Sequence, residues 1–335
     1  MKKDMNRMLI ETAVRRALKD IPDSPERTVR NLVDLGLNFS KGRFLTKFLS
    51  SAQEMLHNEK SAYYSLVKNT ITGVDQETLM TFGINLGYNG CTKGAKTIRA
   101  IEEQRDINIP WSLTLILNTE PTAESKFYPS ILEQGIALGI HTYFLFVPDD
   151  TSEVLSLLQS QPECAFIIFL HGHQLSDSFI EQMKFIKNGM ICIYADDDMI
   201  STCKKLQDAK LLYAVYQRYT EQDRERILTN QWLLEVLPAK PIFAFLVADP
   251  SCSAQIQQEI YSYILSVRER QEQPVIFMDM KQDSLMIDEV ISKDVCMVGF
   301  NSDGSLRTHQ GIRNEPELNI FHNTLDDILQ RTMKK

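Results

Sequence analysis

Cys91 follows the apolar run TFGINLGY (81–88) and an Asn89-Gly90 turn, and precedes the amphipathic stretch KGAKTIRAIEEQ. Strand, turn, cysteine and helix is the order in which some enzymes hold an iron–sulfur cluster. Such a cluster needs several thiolates on iron. In a CxxxCxxC spacing the other two would fall at Ala95 and Ile98, which cannot ligate iron. Glu120, in Asn118-Thr119-Glu120-Pro121-Thr122, ends the run WSLTLILN. A carboxylate there suits an amine, and it equally suits a helix start, where the dipole favours it. FLHGHQ places His171 and His173 at i, i+2, and YADDD and the preceding strand end add Asp196, Asp198 and Asp149. These donors suit zinc, manganese or iron, and the aspartates serve equally as caps of the next helix. In ADPSCS (248–253), Cys252 lies near a helix N-terminus, where a thiol pKa can fall. A nucleophilic role would need a histidine base beside it. Capping by Ser251 or Ser253 accounts for the same segment.

The elements that must position these residues follow from hydrophobic spacing. Residues 1–79 read as helical, with a start at Ser24-Pro25-Glu26 and another at Ser40-Lys41-Gly42. From residue 80, eight apolar runs alternate with amphipathic segments: 81–88, 111–118, 141–149, 164–172, 190–198, 211–219, 241–250 and 274–283. Near-continuous apolar strands alternating with helices predict a parallel sheet covered by helices. Eight units predict an α/β fold of the (β/α)8 TIM-barrel-like kind. A doubly wound open sheet is the rival. Residues 295–309 carry a hairpin signal around Ser302-Asp303-Gly304, and NTLDDILQRTM reads as a closing helix capped by Asn323. The expected domains are therefore a helical segment 1–79, a barrel 80–293, and a β-hairpin plus helix over 294–335.

Composition sets further bounds. The six cysteines have no paired spacing, which predicts reduced thiols in a cytoplasmic protein. Residues 1–50 carry 11 Lys/Arg against 6 Asp/Glu, leaving 25 against 38 in the rest. That acidic body argues against nucleic-acid binding, and no apolar run reaches the length of a membrane span. The basic N-terminal segment suits either solvated helix faces or an acidic protein partner.

At Cys91 and Glu120-Pro121 the chain resembles the radical S-adenosylmethionine (SAM) superfamily, and GINLGYNGCTKGAKTIRAIEEQ and NIPWSL are similar to clostridial proteins of that group. Those enzymes place CxxxCxxC after the first barrel strand and a GGEP-like motif after the second. The hairpin and closing helix resemble the segment after the barrel in the peptide-modifying branch. The resemblance implies a remnant S-adenosylmethionine pocket at Asn89, Cys91, Asn118 and Glu120, without the ligands for an iron–sulfur cluster. It thus implies a bacterial, non-radical protein that binds a small molecule or peptide at the barrel mouth. Two other readings stand beside it. One is a metal-dependent barrel enzyme using a divalent ion on His171, His173 and Asp196. The other is an interaction module through residues 1–79.

Overall fold

The computed structural model describes residues 5–20, 30–31, 33–34, 37, 50, 53–54, 56–118, 125–149, 151–292 and 294–334. The N-terminal elements are helical: α1 (Met5–Asp20), α2 (Tyr63–Gly73), α3 (Gln76–Ile84) and a π-helix (Asn85–Gly94) that continues into α4 (Ala95–Arg105). The helix starts expected near Ser24 and Ser40 lie outside the described residues. The strand expected over 81–88 is helix throughout. A short buried apolar run has no period that separates strand from helix. The helical signal was the polar pair Asn85 and Asn89 at i, i+4, both buried and bonded to each other at 3.0 Å.

The α/β pattern then begins: β1 (Ser112–Ile116), α5 (Tyr128–Leu138), β2 (Thr142–Phe146), α6 (Ser152–Ser160), β3 (Ala165–Leu170), α7 (Asp177–Met183) and β4 (Gly189–Tyr194). It continues with α8 (Met199–Asp208), β5 (Tyr213–Tyr219), α9 (Arg224–Leu228), α10 (Gln231–Val236), β6 (Phe243–Ala248), α11 (Ala254–Arg270), β7 (Ile276–Asp279) and α12 (Met280–Ile291). Three short strands, β8 (Val298–Phe300), β9 (Leu306–Thr308) and β10 (Gly311–Arg313), precede α13 (Leu325–Thr332). The expected hairpin is the antiparallel β8–β9 pair. The last helix is capped one residue later than expected, by Thr324, whose hydroxyl accepts from Asp327 N at 3.1 Å. Asn323 instead donates to the Pro316 and Asn319 carbonyls.

The described chain divides into two compact units, one of Thr81–Met190 and Ser284–Lys335, the other grouping Met1–Lys41 and Leu45–Met80 with Ile191–Asp283. In the first, the strand order is β10-β9-β8-β1-β2-β3; in the second it is β4-β5-β6-β7. The expected closed eight-stranded barrel is not formed. Seven βα-type strands run in sequence, and β8 has both edges filled, by parallel β1 and antiparallel β9. β10 and β7 are end strands. Nor is the sheet doubly wound, because the parallel strands β1-β2-β3 and β4-β5-β6-β7 follow chain order within each unit. A sequential order with right-handed crossovers puts the connecting helices on one face.

That asymmetry is visible in burial. Leu113, Tyr143 and Phe166 share one face of the β1–β3 sheet by register and are completely buried; the Tyr143 hydroxyl donates to Leu132 O in α5 at 3.0 Å. In the other unit Val215, Ala244 and Phe277 share the buried face, and Phe277 packs against Trp232 of α10 and Tyr263 of α11. The opposite faces are less covered: Thr114 and Ile116 in β1, and Tyr194, Phe243, Val247, Ile276 and Met278 in the second unit, are half-buried. Among the described residues no helix is long and apolar enough to cross a membrane.

Candidate functional site

Parallel sheets present their chemistry at the C-terminal ends of the strands, where loops are free to vary. In the β1–β3 unit those ends carry Asn118, Asp149, His171 and His173. Asn118 is half-buried, and its backbone N–H donates to the Tyr128 hydroxyl at 3.1 Å. Asp149 and His173 are exposed, and His171 is half-buried. The two imidazole rings have centroids 5.5 Å apart, tilted by 31°. Their loop is fastened by Gln174, which is buried. Its Oε1 accepts from His171 N at 2.5 Å, and its Nε2 donates to Val147 O at 3.0 Å and Asp149 O at 2.8 Å. One amide thus ties the end of β3 to the end of β2. Next to these ends Phe146 stacks on Phe169 at 4.4 Å, both rings buried.

The second unit has its own strand-end set. Tyr194 and Tyr216 meet edge to face at 5.3 Å, and the exposed Arg218 follows on the same face of β5. On the helix side, Asp279 ends β7. It accepts from the Tyr219 hydroxyl at 3.1 Å and from Gln282 N at 2.8 Å, which makes it the cap of α12. Burial pushes its carboxyl up to about 6. Asp283 accepts from Asp279 N at 2.9 Å, Arg268 at 2.8 Å and Tyr261 at 3.2 Å. This network was not singled out as a site in the sequence. Its signal was the DMKQD spacing, Asp279 and Asp283 one helical turn apart. A cleft of about 140 Å³ lies at the other end of this unit's strands, lined by Asn69, Thr70, Gln207, Tyr213, Lys240 and Ile242 among others.

Cys252 does not become an activated thiol. It is buried, and burial raises its pKa, reinforced by the carboxylates of Glu221, Asp249, Asp279 and Asp223. Those four charges outweigh the helix N-terminus that the sequence suggested. Asp249 caps the turn instead, accepting from Ser251 N at 2.9 Å and Oγ at 2.6 Å.

Of the four residues expected to share an S-adenosylmethionine pocket, three are described, and Asn89 and Cys91 lie at the other end of the sheet from Asn118. Asn89 and Cys91 lie in the π-helix at the N-terminal ends of β2 and β3: Asn89 Nδ2 donates to Glu163 O at 2.9 Å, and a Cβ on Gly90 would sit 3.0 Å from Thr142 Oγ1. Asn118 follows the C-terminal end of β1, a strand of five residues and so about 16 Å long. Glu120 lies outside the described residues. Cys91 therefore precedes the first strand of the sheet rather than following it. The loop after that strand, 118–124, reads NTEPTAE and contains no cysteine.

An iron–sulfur cluster does not fit the thiols present. All six cysteines are buried. Burial pushes Cys91, Cys164 and Cys203 up to about 12 and raises Cys192 and Cys296 well above the ordinary thiol value. Among the described residues no three His, Cys, Asp or Glu side chains form a group able to hold a metal ion. His171 and His173 belong to one compact unit and Asp196 to the other. The exposed Asp196 accepts from Asp198 N at 3.2 Å, before α8.

No protein-family model matches the chain, and no curated protein is similar to it in sequence. Solved structures are similar in fold. Streptococcus suis SuiB matches with a TM-score of 0.51 at 12% identity, over 70% of this chain and 69% of that one. SuiB bound to S-adenosylmethionine matches at 0.52 and 13%, over 70% and 67%. SuiB bound to precursor peptide SuiA matches at 0.50 and 13%, over 69% and 67%. Likeness at this identity concerns fold alone.

Proposed function

We propose that this protein is a non-radical binding or regulatory protein of the radical-SAM-like fold, taking a small molecule or peptide at the strand ends and the open face of the sheet. The observation that carries this reading is the donor set. Six buried thiols, none of them in the segment after β1, support a reading without the cluster that radical chemistry requires. The half-buried side chains Phe243, Val247 and Met278 give that face an apolar lining, and Tyr194 and Arg218 lie on the same face. That SuiB has been seen with S-adenosylmethionine and with a precursor peptide makes those two ligand classes the first to try.

The test has two arms. Anaerobic reconstitution with iron and sulfide is expected to leave the protein colourless and unable to cleave S-adenosylmethionine. A brown protein that cleaves it overturns the non-radical reading. Calorimetric titration with S-adenosylmethionine and with a peptide library addresses binding. A hit that is weakened by Arg218→Ala or Tyr194→Ala supports the open face as the ligand site, and a hit indifferent to both removes that face from consideration.

A further inference from the structure

The second unit carries a further ligand site at the N-terminal ends of its strands: we infer that the cleft lined by α2, α8 and the starts of β5, β6 and β7 binds a small apolar α-amino acid as its zwitterion. The cleft measures about 140 Å³, and all the described residues around it belong to one compact unit. A cavity of about 150 Å³ holds benzene, so there is room here for about six non-hydrogen atoms. Leu66 and Val74, both buried, and the half-buried Leu237, Ile242 and Pro274 give it an apolar lining for an aliphatic side chain. Gly73 leaves the wall open, since a Cβ there would meet nothing within 4 Å.

The polar groups divide between the two charges of such a ligand. Among the described lining residues Lys240 carries the one formal charge, with no carboxylate beside it. The side chains of Lys240, Asn69 and Gln207 have no bonded partner among the described residues. The backbone of Lys240 is fixed all the same. It follows the short turn Leu237–Ala239 with φ at 52°, its N–H donates to Leu237 O at 2.9 Å, and its carbonyl accepts from the buried Tyr213 hydroxyl at 3.2 Å. An ammonium with two free amides suits a carboxylate. The ligand's own ammonium finds acceptors at the end of α2, whose Thr70, Thr72 and Gly73 line the cleft. The carbonyls of a helix's last turn lack partners within the helix, and positive charge is favoured there. Val74 N takes Thr70 O at 3.0 Å, which leaves the carbonyls of residues 71–73 to the ligand. A bare carboxylate would leave this helix end unanswered, and a bare amine would leave Lys240 so. The site lies at the opposite ends of the strands from the ligand face proposed above, so it stands or falls separately.

The test titrates the full chain by calorimetry with L-valine, with isovalerate, which lacks the amino group, and with isobutylamine, which lacks the carboxylate. One L-valine per chain is expected, bound about tenfold or more tighter than either fragment. Lys240→Gln should weaken L-valine and isovalerate about tenfold and leave isobutylamine unchanged. Gly73→Leu fills the cleft from its open wall, at a backbone position without positive φ, and should abolish binding. Circular dichroism and melting point of both variants should match the parent. If Gly73→Leu fails to fold, Lys240→Gln, at an exposed position, still decides. Absence of L-valine binding at millimolar concentration overturns the site. Either fragment binding as tightly as L-valine overturns the zwitterion. L-valine affinity indifferent to Lys240→Gln, or retained in a folded Gly73→Leu, overturns the assignment to this cleft.

Discussion

The two ends of the β1–β3 sheet spend their polar residues differently. At the N-terminal ends the polar side chains are buried and bonded to backbone. Asn85 donates to Pro162 O at 2.8 Å and Cys164 O at 2.9 Å, Glu102 accepts from Ile109 N at 3.0 Å, and Asp288 accepts from Trp111 N at 3.1 Å and from Cys296 N at 2.5 Å. At the C-terminal ends Asp149 and His173 are exposed and bury nothing. The difference teaches which end is built for stability and which is free for binding. It also explains why Asn89 and Cys91, attractive in sequence, belong to the structural end.

The largest break in that contrast should come from Gly94→Ala. A Cβ there would stand 2.2 Å from Gly139 O and 2.8 Å from Asn89 O, both backbone atoms that cannot step aside. A loss of about 4 kcal/mol or more is expected in urea unfolding, or failure to fold. Asn85→Ala removes two buried donors and strands two carbonyls, and should cost about 3 kcal/mol by the same measurement.

The pH dependence sharpens the contrast further. Burial pushes Asp288 up to about 7 from an ordinary 3.8, so the folded state holds a proton the unfolded state has released. Its contribution is complete below about pH 4 and is lost as pH rises through about 7. His141 runs the other way. Burial, aided by Lys93, lowers it to about 4 from 6.5, so its contribution is present above 6.5 and lost as pH falls through about 4. Urea midpoints measured between these limits should therefore decline less with rising pH in Asp288→Asn, and decline less with falling pH in His141→Gln. Parallel pH profiles for parent and variants would contradict the assignment. The smallest effect belongs to the other end: His173→Ala should leave stability within about 0.5 kcal/mol of the parent. A larger loss would erase the distinction between the ends.

Much of the fold was legible. All seven expected runs from 111–118 to 274–283 contain a strand, since buried parallel strands are continuous apolar runs flanked by amphipathic helices. The run 81–88 failed because apolar content alone cannot tell a buried π-helix from a strand, and Gly87 and Gly90 hide helical propensity. Gly90 and Gly94 instead allow close approach, to Thr142 and to Gly139. One misplaced strand shifted the count of strand ends, and so assigned Cys91 to the wrong end of the sheet.

By itself the sequence determined the α/β class, the strand segments from β1 to β7 and the terminal hairpin, because periodicity is a property of the chain. Only the tertiary structure decided that β8 pairs with β1 on one edge and β9 on the other, and that Asn89 and Asn118 lie at opposite ends of the β1–β3 sheet. Those depend on strand pairing and helix packing between residues far apart in the chain, and no local spacing encodes which edge a short strand such as β8 will fill.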